Sequence, residues 1–116
     1  MLSFFRKNKK TITTLFPDNY VDIHSHLLPN IDDGSKSFEE SVALIKRLSN
    51  YGIKNFVTTP HVLDGVWNNT PQNISQKLFE LTNYLKTQEI YDVKIKAAAE
   101  YMIDANFEIL LNKKDL

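Results

Sequence analysis

The feature that most constrains this chain is a regular alternation of short β-branched segments with amphipathic helical segments from residue 18 onward. Residues 20–26, 54–59 and 92–102 each have the composition of a buried strand, and a helical pattern follows each one, the last at 107–116. Strands that alternate with helices form a parallel sheet, because each helix carries the chain back to the start of the next strand. The sequence therefore predicts an α/β fold with parallel strands and the order βαβαβα.

Capping residues mark the expected ends of the helices. Ser37, followed three residues later by Glu40, is a capping-box pattern at the start of the first helix. Gly52 suits the left-handed position that ends it, and Thr70 with Pro71 forms a favourable N-cap and N1 pair for the second helix. The apolar residues at helical spacing are Phe38, Val42, Ile45 and Leu48 in the first helix and Ile74, Leu78, Leu81 and Leu85 in the second.

Composition and charge exclude several classes of function. Of the 116 residues, 42% are hydrophobic and 24% are charged, which is typical of a globular protein rather than a disordered one. The formal net charge is zero, so bulk electrostatics predict no nucleic-acid partner. The chain has no cysteine, which excludes disulfides, thiolate metal sites and cysteine nucleophiles and fits a cytoplasmic protein.

Residues 1–19 form a mildly basic N-terminal arm, and the folded domain is expected to occupy residues 20–116. Four basic residues between positions 6 and 10 interrupt the apolar residues of the arm, so it lacks the pattern of a secretory signal. No apolar run in the sequence approaches the ~20 residues that span a bilayer. We expect a solvated tail or a short first helix, with contact to anionic lipid as the alternative.

All three histidines of the chain are expected at one rim of the sheet. His24 and His26 end the first strand, His61 directly follows the second, and Glu100 ends the third. The acidic pair at 32–33 lies in the loop after the first strand. Residues two apart on a strand point to the same face, roughly 6–7 Å apart, so the first two histidines could bind one metal ion.

Each of these residues also has an ordinary explanation. Histidine pairs occur on surfaces, Asp-Gly sequences favour turns, and His61 and Glu100 could be a loop residue and a solvated strand end. The concentration of every histidine beside carboxylates at one rim favours a metal site. Nitrogen and oxygen donors without sulfur suit Mn, Fe or Zn better than Ca or Mg. Trp67, in the loop that begins at His61, is predicted to shape the site entrance and contact substrate.

The run VDIHSHLLPNIDDGSKSFEESVALIKRLSNYGIKNFVTTPH resembles the opening of PHP-domain (polymerase and histidinol phosphatase) proteins. More closely, it is similar to the metal-dependent protein-tyrosine phosphatases of bacterial capsule and exopolysaccharide systems. The combination of DIHSH, DDG and TPH carries the resemblance, which covers about residues 20–116. It implies that the chain forms the N-terminal βαβαβα portion of a distorted (β/α)7 PHP barrel.

The resemblance implies a metal site residue by residue. His24 and His26 match the H-x-H metal pair, Asp33 and His61 match ligands of another ion, and Glu100 matches a bridging glutamate, here preceded by alanines where relatives often have GGE or GQE. It implies up to three divalent ions, expected to be Mn with Fe or Zn as alternatives. Phosphotyrosine would be hydrolysed by a metal-bound hydroxide held by His24, His26 and Glu100. The expected partner is the phosphorylated tyrosine kinase of a polysaccharide export system.

The length of the chain departs from the family pattern. A (β/α) barrel needs ~200 or more residues, and the family's remaining ligands and phosphate-binding arginines lie on later strands. No histidine follows His61, and the last arginine is Arg47. We therefore expect an N-terminal fragment that is inactive or weakly active alone, with uncovered sheet surface that favours homo-oligomers.

Three other interpretations stay open from the sequence. The first is another PHP phosphoesterase, acting on a small-molecule phosphate or nucleic-acid ends, although the LLPNIDDG run favours the tyrosine phosphatase. The second is a non-catalytic metal-binding or interaction module. The third is an ordinary α/β domain with surface histidines.

Overall fold

Parallel strands joined by helices form the framework of the molecule. The computed structural model describes residues 15–116, so most of the predicted N-terminal arm lies outside the described residues. The strands are β1 (Val21–Asp22), β2 (Asn55–Thr58), β3 (His61–Val62), β4 (Lys94–Ala97) and β5 (Glu100–Tyr101). The helices are α1 (Phe38–Asn50), α2 (Pro71–Thr87) and α3 (Ala105–Lys113).

The strands form two parallel sheets, which confirms the predicted α/β class with parallel strands. One sheet has the order β1-β2-β4, and the other pairs β3 with β5. The prediction of a single strand over residues 92–102 is wrong, because Ala98 and Ala99 separate β4 from β5 and the two strands join different sheets. The loop predicted after Pro60 instead begins with β3. Two-residue strands are too short to show an alternating pattern, and only pairing with a distant segment defines them.

The predicted first strand, residues 20–26, is also shorter than expected, since only Val21–Asp22 pairs with β2. Beyond β1, hydrogen bonds of the Thr58 side chain hold the segment that continues the strand. The hydroxyl of Thr58, which is fully buried, donates to the carbonyl oxygen of Ser25 (2.8 Å) and accepts from the amide of Leu27 (2.9 Å). The Ser25 carbonyl oxygen also accepts from the backbone amide of Thr59 (2.6 Å), so two threonines at the end of β2 anchor the histidine segment instead of a continued regular strand pairing.

The helix ends largely follow the capping pattern. The Ser37 hydroxyl accepts a hydrogen bond from the backbone amide of Glu40 (3.1 Å), but the Glu40 carboxylate accepts from the amide of Lys36 instead of completing the box. Gly52, just beyond α1, has a φ of 96°, as predicted for a left-handed helix stop. At α2 the N-cap Thr70 forms a complete capping box with Asn73.

The core lies between helices α1 and α2 and one face of the larger sheet. Phe56 on β2 is almost fully buried and belongs to the same cluster as the helical stripes. The opposite face carries Lys94 and Lys96, which are exposed. The buried members of the stripes are Val42, Ile45, Ile74, Leu81 and Leu85. None of the helices within residues 15–116 is long and apolar enough to cross a membrane.

Candidate metal centre

The Glu100 carboxylate lies at the centre of the three histidines. Its Oε2 atom is 3.3 Å from His24 Nε2, 3.5 Å from His26 Nε2 and 3.3 Å from His61 Nδ1. The small sheet explains part of this arrangement, because β3 and β5 pair in a register that places His61 directly beside Glu100. Neighbouring residues in a parallel pair point to the same face, so the two side chains meet.

The Glu100 oxygen provides a test of whether a cation fits. This atom is buried and has no hydrogen-bond partner among the residues that the structure describes. A buried carboxylate oxygen without a partner is costly, and a bound cation would remove that cost. Donor atoms that share an ion at ~2.1 Å lie roughly 3.0–3.4 Å from one another, close to the separations around Glu100. The residues therefore fit a divalent metal ion.

A second group of donors adjoins the first. His61 Nε2 lies 3.4 Å from Asp33 Oδ1. The donor atoms of His26, Asp33 and His61 lie within 4.8 Å of one another, as do those of His24, His26 and Glu100. His26 thus belongs to both groups, and the Asp33 side chain is largely exposed. The arrangement offers two adjacent cation positions that open to solvent.

Asp32 lies beneath these donors with its side chain fully buried. Its Oδ2 atom accepts from His26 Nδ1 (2.9 Å) and from the backbone amide of His61 (3.0 Å), while Oδ1 accepts from the amide of Gly34 (2.9 Å). Burial alone raises the pKa of the Asp32 carboxyl, but these hydrogen bonds outweigh burial and lower the pKa below its usual value. Asp32 is consequently held as an anion that can only accept hydrogen bonds.

The loop that carries Asp32 and Asp33 packs tightly on His26. The amide of Ser35 donates to the His26 carbonyl oxygen (3.2 Å). A Cβ atom on Gly34 would lie 2.4 Å from both the Cβ and the carbonyl oxygen of His26. The glycine of the DDG sequence is therefore required by close approach to His26, which the turn preference of the run does not reveal.

Trp67 lies against the same centre. Its ring stacks on the His61 ring with centroids 4.9 Å apart and planes 19° apart. An isolated bridge between Leu63 and Trp67 closes the turn that brings the indole back to His61. An open pocket of about 440 Å³ begins here, and its further walls include Met102 and Ile103. The residue predicted to shape the entrance of the site thus borders a largely apolar pocket beside the donors.

The structure brings all five predicted ligands together, although four of them occupy unexpected elements, among them His61, which begins β3 rather than a loop. His24 and His26 lie after β1 rather than within a strand, and Glu100 begins β5 rather than ending a long strand. Sequence reasoning missed Asp32, whose position next to Asp33 was its only signal. The metal-binding roles themselves stay predictions that rest on this geometry.

Together, the parallel α/β fold and the donor set define a protein with a histidine–carboxylate site of the kind that binds divalent metal ions at a sheet rim. The comparisons with known proteins agree with this class. The chain belongs to the capsular polysaccharide synthesis family CpsB/CapC, whose family model matches residues 20–116.

Several relatives support this membership. The chain is 40% identical over 63 residues to CapC of Staphylococcus aureus, covering 54% of this chain and 25% of the relative. It is 35% identical over 92 residues to the tyrosine-protein phosphatase CpsB of Streptococcus pneumoniae, covering 73% of this chain and 35% of the relative. The tyrosine-protein phosphatase YwqE of Bacillus subtilis is 31% identical over 70 residues, covering 60% of this chain and 28% of YwqE.

A solved structure shows the same fold. It comes from crystal structures of YwqE from Bacillus subtilis and CpsB from Streptococcus pneumoniae, described as unique metal-dependent tyrosine phosphatases. The TM-score is 0.74 at 29% identity, and the match covers 84% of this chain and 39% of that chain. The chain thus spans well under half the length of the relatives it matches.

Proposed function

We propose that this chain provides a metal-binding part of a metal-dependent protein-tyrosine phosphatase that acts in capsular polysaccharide synthesis. The observation that carries the proposal is the convergence of three histidine nitrogens on the buried Glu100 Oε2 atom. The names of the CpsB and YwqE relatives support the substrate class, since both are tyrosine phosphatases. We further propose that residues 20–116 form the first three βα units of a PHP barrel.

The ligand roles follow from the two donor groups. His24, His26 and Glu100 would hold one ion, and Asp33 and His61 would hold another together with His26. Mn²⁺ is the proposed metal, with Fe or Zn as alternatives, because the donors are nitrogen and oxygen only. Such ions neutralise phosphate oxygens and lower the pKa of water to about 7 when bound. The protein's own part is to hold these donors at one rim, where a phosphate ester can approach from the exposed side.

The chain contains no cysteine, so no phosphocysteine intermediate can form on it. The donor set would instead support direct attack by water on phosphorus, with Glu100 and the histidines holding the cations whose charge assists it. The partner that we propose is the phosphorylated tyrosine kinase of the polysaccharide export system, encountered in the cytoplasm. Self-association through the uncovered face of the larger sheet stays a prediction, which sedimentation of the purified chain would check.

Trp67 is the proposed contact for the tyrosine ring of the substrate. We expect Trp67→Ala to raise KM for a phosphotyrosine peptide about 3- to 10-fold, because one aromatic contact contributes ~0.5–1.5 kcal/mol. Trp67→Phe keeps a ring on His61 and should stay near the wild-type KM. Steady-state kinetics would check both variants, and an unchanged KM in Trp67→Ala would exclude the contact.

The proposed function is tested by phosphate release from a phosphotyrosine peptide with Mn²⁺, with a chelator-treated sample as control. We expect release that requires Mn²⁺, exceeds release from a phosphoserine peptide, and is lost in His24→Ala. The His24 side chain is 67% exposed, so its removal should leave folding intact. Isothermal titration with Mn²⁺ on the same samples measures binding separately from turnover.

Each result has a distinct meaning. Equal release from phosphotyrosine, phosphoserine and a small-molecule phosphate would favour another phosphoesterase. Tight Mn²⁺ binding without turnover would favour a non-catalytic metal-binding module and would show that these residues do not form an active phosphatase by themselves. Wild-type activity in His24→Ala would contradict the site, and absence of Mn²⁺ binding would contradict both the site and the function.

A further inference from the structure

We infer that Asp32 is a positioning residue. Its carboxylate selects the metal-binding tautomer of His26 and also holds the backbone of His61 in place. The inference rests on the proposed function for its consequence, since both histidines are proposed ligands. The hydrogen bonds from which we infer it are those of the buried Asp32 carboxylate in the protein without metal.

The tautomer argument begins with the hydrogen-bonding capacity of the two partners. An ionised carboxylate has no hydrogen to donate, so the 2.9 Å contact between Asp32 Oδ2 and His26 Nδ1 requires the histidine to donate. A neutral imidazole that carries its proton on Nδ1 has a free lone pair on Nε2. That Nε2 atom is the one that faces Glu100 Oε2, at 3.5 Å. Asp32 therefore directs the unprotonated nitrogen of His26 toward the proposed ion.

The same oxygen acts on the second histidine through the main chain. Asp32 Oδ2 also accepts from the backbone amide of His61, at the first residue of β3. Because β3 pairs with β5, this bond helps to hold His61 beside Glu100. The other carboxylate oxygen accepts from Gly34 and closes the turn that presents Asp33. One buried side chain thus sets the position of residues from both donor groups.

An amide at this position cannot reproduce the three bonds. Asparagine has a single oxygen, whereas both oxygens of Asp32 accept from backbone amides, those of Gly34 and His61. If the amide nitrogen replaces Oδ2, it faces the His61 amide and donates to His26 Nδ1, which moves the imidazole proton to Nε2. If it replaces Oδ1, it faces the amide of Gly34 and the turn is disrupted. In either orientation the metal site is weakened although the side-chain volume is kept.

The experiment measures the tautomer directly in the 116-residue chain. Long-range ¹H–¹⁵N NMR spectra are recorded without metal at pH 8.5, where imidazole in water is neutral, for wild type, Asp32→Asn and Asp32→Ala. We expect a predominant Nδ1–H tautomer for His26 in the wild type and a loss of that predominance in Asp32→Ala. We also expect Mn²⁺ affinity to fall about 10- to 100-fold in both variants.

Asp33→Asn is the matched control, since it makes the same chemical change one residue away. It should weaken Mn²⁺ binding at its own group while leaving the His26 tautomer as in the wild type. Backbone amide spectra establish that each variant is folded, and Asp32→Asn preserves the size of the side chain should Asp32→Ala unfold.

An unchanged Nδ1–H tautomer and unchanged Mn²⁺ affinity in both Asp32 variants would overturn the inference. A fall in affinity with the tautomer retained in both would also overturn it, because Asp32 would then act only on the loop. Absence of Mn²⁺-dependent phosphotyrosine hydrolysis in the wild-type chain would bear on the proposed function alone and leave the tautomer result standing.

Discussion

Replacing Glu100 with glutamine is expected to change the stability of the protein in opposite directions with and without metal. Without metal, the Oε2 atom of Glu100 is buried and has no hydrogen-bond partner among the described residues. Removing its charge should therefore raise the free energy of unfolding by about 1–3 kcal/mol at pH 8, where imidazole in water is neutral. With Mn²⁺, the wild type should be the more stable protein, because the ligand carboxylate is lost in the variant. The measurement is thermal unfolding of both proteins with Mn²⁺ and with chelator.

The same variant should bind Mn²⁺ at least ~100-fold more weakly, since even residues that only orient a metal ligand contribute 10–100-fold to affinity. Isothermal titration measures this loss independently of unfolding. Glu108→Gln is a suitable control, because it makes the same substitution at an exposed position on α3. It should change neither the affinity nor the order of the two melting temperatures. If Glu100→Gln melts below the wild type in chelator and binds Mn²⁺ normally, Glu100 is an ordinary structural residue.

Replacing Gly34 with alanine is expected to damage the metal centre by displacing His26 or the loop that packs on it. The added methyl group would lie 2.4 Å from two atoms of His26, so either the loop or the histidine must move. Overpacking of this kind costs about 1–3 kcal/mol in the free energy of unfolding. Because the displaced residue is a proposed ligand in both donor groups, Mn²⁺ affinity should fall as well. Urea unfolding and isothermal titration measure the two effects.

Gly65→Ala is the control for Gly34→Ala, because it introduces backbone strain without a steric overlap. A Cβ atom at Gly65 meets nothing within 4 Å, but its φ of 75° is unfavourable for alanine. We expect a cost of roughly 1–2 kcal/mol from that conformation alone, with Mn²⁺ affinity as in the wild type. Wild-type stability and affinity in Gly34→Ala would show that the loop moves freely and does not set the position of His26.

The sequence predicted those parts of the fold that depend on near neighbours. The Thr70 cap and the apolar stripe of α2 are recognisable because a cap or a helical face involves residues one to four positions apart. The prediction of one long third strand was wrong because its division depends on residues far away in the chain. Residues 92–102 have a continuous β-like composition, and only the pairing of β5 with β3 shows that Glu100 belongs to a second sheet.

In the candidate site, too, some residues could be predicted from the sequence and others could not. The three histidines, Glu100 and the acidic pair at 32–33 could be named from the sequence, because strand ends in a parallel α/β fold share one rim. The family resemblance then singled out Asp33 from the acidic pair. Asp32 could not be assigned a role, since nothing near it in the sequence shows that it is buried beneath His26 and reaches the main chain of His61. A buried hydrogen bond of this kind depends on segments that come together only in the folded chain.

By itself, the amino-acid sequence determined the α/β class and the parallel strands, which follow from periodicity and capping, and the residue types that are available as metal donors at the rim. The tertiary structure decided which nitrogen of each histidine faces Glu100 and left its Oε2 atom buried without a protein partner. It also decided the close approach that requires Gly34 beside His26. These features are distances between residues far apart in the chain, and local sequence preferences do not set such distances.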